Sequence, residues 1–526
     1  MDKLSIFWLG MVKKHFLALM ILLGLGLFAM KTFWGPHYFD GHDAQAHLVR
    51  LYQYDLALKD NQILPQWAGG LLAGRGYPVF IFAYPLPYFI AEAFHLIGFS
   101  LAVAIKLTFV LSYLVSIIGM YFLAGFTGAI LWGFAPYMFV KIFITASLGV
   151  VVSYAVIPWF FLSVSKKKYL GVTISLALWI MSHPGTLVIF SPLILLYFLT
   201  HLKHYRRLLL SFLLAFGLSA WYFLPANLEL GYTHFKEFVS AQYVNDFVPL
   251  TRLLYSKWGT NAPGWGDNPL SQQVGIAQWL AIGLAAVLAI LKPSRSVLEG
   301  KAWPFLLSFA ISIFLMLSIS KPIWDLPTPL QNISTPWRFL SLAVFSAAMA
   351  GSLLVKQINK RWLQITVAGL LIFLALYGNR NHLRINEIRN YDLNFLQNYT
   401  GVATGWNEYL PIWIKDMPHE FPKNKLEILG SDGTELTIQL NTLYYPGWQV
   451  KVDGQKVTIK PSDNGLIIFN APVDYKQIES KFSDTPLRRN SKIISFVTLF
   501  FIVIYYSRHC FDYVLQVFFR HVRIKR

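Results

Sequence analysis

The sequence predicts a polytopic α-helical membrane protein with a small, mostly β domain placed before its last helix. Three observations carry that reading. Charged residues make up only 13% of the 526 positions and hydrophobic residues 55%, against about 25% charged in ordinary soluble domains. Apolar runs close to the roughly 20 residues needed to cross a bilayer recur along most of the chain. Residues 379–490 break the pattern, because Gly, Asp and Lys are frequent there and short alternating runs such as Glu435 to Gln439 and Gln449 to Ile459 read as strands.

Taken in order, the first apolar stretch, Phe16 to Trp34, follows Lys13-Lys14. Its length and the lack of a small-residue cleavage pattern make it a retained span rather than a signal peptide. Basic clusters at Lys13-Lys14, Lys166-Lys167-Lys168, Lys203 to Arg207, Lys292 to Lys301, Lys356 to Arg361 and Arg508 to Arg526 are expected in the cytoplasm by the positive-inside rule. An even number of crossings must then join each neighbouring pair. Beyond residue 166 this holds for hairpins at 169–182/186–200, 208–225/274–292, 302–320/339–356 and 362–378/492–507. Before it, candidates at 16–34, 79–99, 101–124, 128–143 and 150–165 give an odd count.

Pro78 to Phe99 is the stretch that fails to cross: Pro78, Pro85 and Pro87 break its first half, and Glu92 and His95 interrupt its second. It reads as an interfacial or re-entrant helix. About twelve transmembrane helices result, with the N- and C-termini cytoplasmic. Residues 1–378 form the transmembrane domain with a large first outer loop at 35–98. Residues 379–491 form an extracytoplasmic β-rich domain, and 492–526 the last span and a basic tail.

The formal charge of +19 does not point to nucleic acid, because the basic residues sit in short clusters at the ends of apolar spans. Contacts to anionic membrane lipids explain them. A single cysteine, Cys510, excludes a disulfide framework and any cysteine-rich metal site.

The densest group of ionisable residues lies in the first outer loop, at Asp40-Gly41-His42-Asp43 and onward to Arg50. With a helix from about Asp43, the residues Asp43, His47 and Arg50 fall at i, i+4 and i+7 and share one face. A solvated juxtamembrane helix with an intrahelical charge pair is the plain alternative.

The loop continues with Leu64-Pro65-Gln66-Trp67, Gly74-Arg75-Gly76-Tyr77-Pro78 and Tyr84-Pro85-Leu86-Pro87-Tyr88. Further along stand Ala135-Pro136-Tyr137, Ser182-His183-Pro184, Leu224-Pro225-Ala226-Asn227-Leu228-Glu229 and Thr335-Pro336-Trp337-Arg338-Phe339. The tail carries Asn407-Glu408-Tyr409-Leu410-Pro411 and Tyr444 to Gly454. Together with one span, a large acidic outer loop and many further spans, these resemble the GT-C class of membrane glycosyltransferases. More narrowly they resemble a bacterial membrane family labelled 6-pyruvoyl-tetrahydropterin-synthase-related, and the tail resembles YfhO-like proteins. One departure stands out. The resemblance leads one to expect an Arg-Gly after the Pro-Tyr of the third span, and a Glu four residues beyond that Gly. Here the stretch is Thr145-Ala146-Ser147-Leu148-Gly149-Val150, which leaves a different acceptor or a degenerate site open.

The resemblance implies transfer of a sugar from a polyprenyl-phosphate carrier to a cell-envelope glycan or lipid acceptor, at the outer face of a bacterial plasma membrane, with inversion. A carboxylate must take the acceptor hydroxyl's proton; Asp43 is the first candidate and Asp40 the second. Cations must stabilise the departing phosphate, and Arg338, Arg75, Arg50 and Lys141 are the candidates. Arg338, beside Trp337, is also readable as a snorkelling anchor. His47 is expected to hydrogen-bond in the site, and Asp43 with His47 is the candidate ligand pair should a divalent cation, Mg²⁺ or Mn²⁺, take part. Tyr77 and Glu229 complete the expected substrate-binding set, Glu229 being equally readable as a helix-end carboxylate. The loop from Trp258 to Asp267 offers stacking faces for a sugar or an interfacial aromatic belt. Two rivals stay open: a transporter or flippase of a lipid-linked solute, which calls for ionisable residues near the midplane, and a non-catalytic envelope-assembly scaffold.

Overall fold

The computed structural model describes residues 3–239, 242–262, 266–291, 302–405 and 407–523. The Lys292–Lys301 cluster and the Pro263–Trp265 part of the aromatic loop lie outside the described residues. The first helices are α1 (Lys3–Ala29), α2 (Ala44–Lys59), α3 (Val79–Phe82), α4 (Leu86–Leu96), α5 (Leu101–Ala124), α6 (Phe126–Gly133), α7 (Pro136–Phe139), α8 (Leu148–Ser165), α9 (Tyr169–Ser182), α10 (Pro184–Leu199) and α11 (Tyr205–Leu228). Five helical stretches among the described residues are long and apolar enough to cross a membrane. The count rises to seven if two bent pairs each make one span, and four shorter apolar helices accompany them.

Burial separates centre from perimeter. The Pro336–Gln357 stretch is 83% buried and Arg361–Gly378 only 11%, so the first forms the middle of the bundle and the second turns its apolar surface outward. Small residues make the central position possible: a Cβ added at Gly351 would stand 2.8 Å from the Ala281 Cβ and 2.9 Å from Leu131 Cδ1. Close helix approach of this kind is how membrane bundles gain dispersion energy.

Two segments expected to cross straight are broken. The 128–143 stretch bends by 50° between α6 and α7, where Pro136 lacks the N–H that would continue the first helix. Its second half runs on as a π-helical turn, Val140–Ile144, a distortion that tends to mark functional positions. The 302–320 stretch turns by 88° after Met316. Between Pro78 and Phe99 the chain forms only the four-residue α3 and the eleven-residue α4. At 1.5 Å per residue α4 is about 16 Å long, half the hydrocarbon thickness.

Seven strands fold into two antiparallel sheets. They are β1 (Leu426–Ser431), β2 (Glu435–Leu443), β3 (Trp448–Val452), β4 (Gln455–Val457), β5 (Lys460–Pro461), β6 (Leu466–Pro472) and β7 (Ile478–Phe482). The sheets run β1-β2-β6-β5 and β4-β3-β7. Ile438, Val450, Val452, Ile467 and Phe469 fill the space between them. The β3–β4 hairpin turns on Asp453-Gly454, both at positive φ, the pairing that matches strand twist in a two-residue loop. Among the described residues, 379–425 hold, by contrast, only the short Leu393–Gln397 helix and isolated bridges. They lie across the 35–98 connection, with Leu72 N donating to Gly401 O and Ala73 N to Thr400 O, both at 2.9 Å.

Candidate functional site

Asp43 is the N-cap of α2 rather than its first helical residue. A capping aspartate ordinarily accepts a bond from the second or third helical N–H, but the Asp43 side chain makes no such bond. Backbone contacts fix its position instead: His42 N donates to Ile144 O at 2.9 Å and Asp43 N to Thr145 O at 3.1 Å. The turn before α2 is thus clamped to the chain that leaves the π turn. The carboxylate so placed lies within electrostatic reach of Lys141, Tyr84 and Tyr88.

His47 and Arg50 follow on the same helix face, and both are buried. His47 Nε2 accepts from Leu148 N at 3.4 Å, so its Nδ1–H donates to the Tyr88 hydroxyl at 2.8 Å. Burial, reinforced by the Arg50 charge, pushes the imidazole well below its ordinary range and keeps it neutral. Arg50 donates from Nε to Ala403 O at 2.6 Å and from Nη1 to Tyr88 at 3.3 Å. Its guanidinium therefore ties down the 399–409 segment, in which Glu408 carries a charge that acts on Arg50. Tyr409 in that segment stacks on Phe82, 4.8 Å apart at 11°. Tyr77 is buried beneath it, within electrostatic reach of Glu408 and Tyr409.

Lys141 sits on the π turn, 3% exposed. Its ammonium lies 4.3 Å over the Trp337 ring and 5.3 Å from the Tyr137 centroid. These cation–π contacts hold the charge without saturating its three donors. Arg338, next to Trp337, donates to Ile333 O at 2.8 Å, and its charge reaches Lys141, His183 and Asp246. Asp246 escaped sequence reasoning, since nothing about its neighbours sets it apart. Burial pushes its carboxyl up to about 6, and Arg338 works against that rise. Asp43, Lys141, Arg338 and Asp246 form one linked electrostatic group drawn from four separate stretches of chain.

Other expected site residues lie elsewhere. Glu229 forms a buried bidentate pair with Arg488, Nη2 to Oε2 at 2.7 Å and Nε to Oε1 at 2.9 Å. Arg75 spends its Nη1 on Glu420 O at 2.7 Å, while its own carbonyl accepts from Leu443 N. It joins the first connection to the β region, not to Asp43. Asp40 faces a separate pocket and pairs with Arg389 at 3.5 Å. His183 caps α10, its Nδ1 accepting from Thr186 N at 3.1 Å. Trp258 stacks on His382 at 4.4 Å, which occupies one face of that ring.

The Asp43–His47 pair does not fit a metal. Both His47 ring nitrogens already have protein partners, and among the described residues no three His, Cys, Asp or Glu side chains converge on a point that could hold one.

An apolar groove of about 430 Å³ lies between α4, α5, α8 and α9, lined by residues such as Leu86, Ile90, Val115, Val152, Trp159 and Leu178. Gly149, one turn before Val152, touches the Tyr84 ring so closely that an added Cβ would stand 2.3 Å from it. Tyr84 in turn lies 5.3 Å from the His183 ring.

The chain matches no protein-family profile and no curated protein. Among solved structures it resembles the arabinofuranosyltransferase AftD from Mycobacteria, with a TM-score of 0.48 at 13% identity over 72% of this chain and 28% of that one. Two structures of a mutant form of AftD give TM-scores of 0.45 and 0.42 at 14% and 13% identity, over 69% and 68% of this chain and 27% and 28% of theirs. This chain therefore spans little more than a quarter of the length of the solved structures it resembles, and at that similarity its function has to be argued from its own residues.

Proposed function

We propose that this chain is a membrane glycosyltransferase of GT-C type, which moves a sugar from a polyprenyl-phosphate carrier to a cell-envelope acceptor at the outer face of a plasma membrane. The observation that carries the proposal is the pairing of Asp43 with Lys141. The Asp43 carboxylate caps a helix without bonding to it, and it faces an ammonium held only by aromatic rings. A base and a cation are thereby kept within each other's field, and the apolar groove between α4, α5, α8 and α9 offers a surface for the lipid chain of the carrier.

In the step proposed, Asp43 accepts the proton of the acceptor hydroxyl as its oxygen attacks the anomeric carbon. The new C–O bond forms opposite the bond to the carrier phosphate, which inverts the centre. That older C–O bond breaks with its electron pair on the phosphate, beside Lys141 and Arg338. His47, neutral and doubly hydrogen-bonded, holds α2 against the start of α8. Arg50 holds the 399–409 segment over the site.

The test uses the parent and its Asp43→Asn variant, both purified in lipid. Labelled sugar transfer is measured from a panel of polyprenyl-phosphate donors to extracted envelope lipids and glycans. Transfer by the parent and a loss of about 10²–10⁴-fold in the variant is the expected result. A parent that transfers nothing from any donor, while Asp43→Asn still alters envelope composition in cells, would transfer the case to the flippase or scaffold reading.

A further inference from the structure

A second pocket is lined by the residues just before Asp43. Its volume is about 560 Å³, and Asp40, His42, Ile144, Thr260, Asn261 and Asn386 contribute to its wall. That size falls within the roughly 300–1,000 Å³ of small-molecule sites. Four stretches of chain meet there, each fixed by backbone hydrogen bonds. Asp40 N donates to Glu387 O at 2.8 Å and Arg389 N to Tyr38 O at 3.1 Å, which joins the turn to the 386–389 wall. His42 N donates to Ile144 O. Residues 259–262 and 266–270 are joined through Asn261 N to Asn268 O and Leu270 N to Asn261 O, and His42 Nε2 donates to Thr260 O at 2.7 Å. The cavity is therefore built before any ligand arrives, which lowers the entropic cost of binding.

Its chemistry differs from that of the Lys141 cavity. Asp40 is balanced by Arg389 at 3.5 Å, so the pocket does not present the excess cation a phosphate would need. Asn261 and Asn386 line it together with Asp40 and Thr260, and neither carboxamide is hydrogen-bonded among the described residues. Carboxamides, which both donate and accept, and a carboxylate, which accepts only, line the pocket with the apolar Ile144 and Ala262 and suit the hydroxyls of a neutral polyhydroxylated ring.

We propose that the Asp40–Asn261–Asn386 pocket is the acceptor subsite, and that it holds a neutral glycan segment whose terminal hydroxyl reaches Asp43. This inference rests on the glycosyltransferase reading. It divides the site across one turn: lipid-phosphate donor on the Lys141 side, glycan acceptor on the Asp40 side. Asp43, three residues from Asp40, stands between them.

The experiment uses the full chain in lipid nanodiscs. Binding of neutral tetrasaccharides, α- and β-linked glucans and galactans, is measured by saturation-transfer NMR on Asp43→Asn protein and on the same protein carrying Asn386→Trp, which fills the pocket from an exposed loop position. In the otherwise native chain, Asn386→Trp is assayed for acceptor and donor KM. Expected are binding of at least one tetrasaccharide, its loss by tenfold or more with Asn386→Trp, and a matching rise in acceptor KM at unchanged donor KM. Equal binding with and without Asn386→Trp, no binding of any tetrasaccharide, or a rise in donor KM instead would overturn the assignment. Pocket-dependent binding by a chain that transfers no sugar would keep the glycan site and discard the transferase. Transfer that ignores Asn386→Trp would do the reverse.

Discussion

Glu229 and Arg488, 259 positions apart, form a bidentate ion pair of which neither side chain is more than 2% exposed. Glu229 ends α11 and Arg488 opens the Pro486–Arg523 helix. Tyr445 OH donates to the same carboxylate at 3.2 Å, and Arg488 Nη2 also donates to Pro446 O at 2.9 Å. The pair thus bolts two helices to the β2–β3 connection. Its position explains why an acidic residue at the end of an apolar helix resembles a site residue in sequence yet serves the architecture.

Removing one partner leaves the other as an uncompensated buried charge, which typically costs about 3–5 kcal/mol, whereas replacing both by apolar groups is often close to neutral. Arg488→Met should therefore lower the unfolding free energy by about that amount, and Glu229→Leu combined with Arg488→Met should recover most of it. Denaturation of the purified proteins in one detergent reads both values. Additive losses in the double variant would show that the two charges do not stabilise each other.

Lys141 presents the opposite case, a buried cation with no carboxylate hydrogen-bonded to it among the described residues. Apart from the two rings, the like charge of Arg338 acts on it more strongly than the opposite charge of Asp43. Lys141→Met should then hold or raise the melting temperature, because a desolvated cation is replaced by an apolar chain of similar length. Under the proposed mechanism it should also slow transfer by about 10²–10³-fold, the usual penalty for losing one group that stabilises charge in the transition state. A melting temperature that falls while transfer survives would make Lys141 a structural residue.

How much of this was readable from the chain depends on distance along it. The shared face of Asp43, His47 and Arg50 is a local consequence of helical periodicity, and α2 supplies it with Asp43 shifted to the cap. The failure of Pro78–Phe99 to form one long helix was equally local, written in three prolines. What Arg50 holds was not readable, because Ala403 lies 353 positions away and offers only a backbone oxygen. The Lys141 cage was hidden for a related reason: hydropathy treats Val140–Ile144 as part of a straight span, and only the bend at Pro136 turns that stretch into a π turn that places a lysine against Trp337. The pairing of Glu229 with Arg488 was not readable either, because an ion pair between distant helix ends leaves no pattern in either sequence.

Arg50 offers a test of the 399–409 segment. Its planar fork reaches Ala403 O and Tyr88 OH at once, which a lysine's single ammonium cannot reproduce. Arg50→Lys should lose about 1.5–3 kcal/mol, the range for a hydrogen bond from a charged group, and lose it locally. Limited proteolysis in lipid should cut between Tyr399 and Tyr409 faster in the variant than in the parent, at an unchanged global melting temperature. Equal cleavage would mean that the stacking of Tyr409 on Phe82 suffices to hold the segment.

Acid stability follows from two buried histidines, His47 and His382. Burial, with Arg384 and Arg380 nearby, lowers His382 to about 4, and burial with Arg50 lowers His47. Because the folded values lie below the ordinary 6.5, the unfolded chain takes up protons first as pH falls. Stability is therefore complete above pH 6.5 and is lost on the way down, toward about 4 in the case of His382, at about 1.4 kcal/mol per pH unit for each proton. Asp246 runs the other way: with its carboxyl pushed up to about 6, the folded protein binds that proton first and gains stability as pH falls through the same range. His382→Asn isolates one contribution, since Asn can still donate to the Asn379 Oδ1 that His382 reaches at 2.7 Å. The drop in unfolding free energy between pH 7.5 and pH 5 should be smaller in His382→Asn than in the parent by about 2 kcal/mol, one proton over one and a half units. An identical drop in both proteins would mean that His382 titrates alike folded and unfolded, and that its stack on Trp258 does not shield it from water.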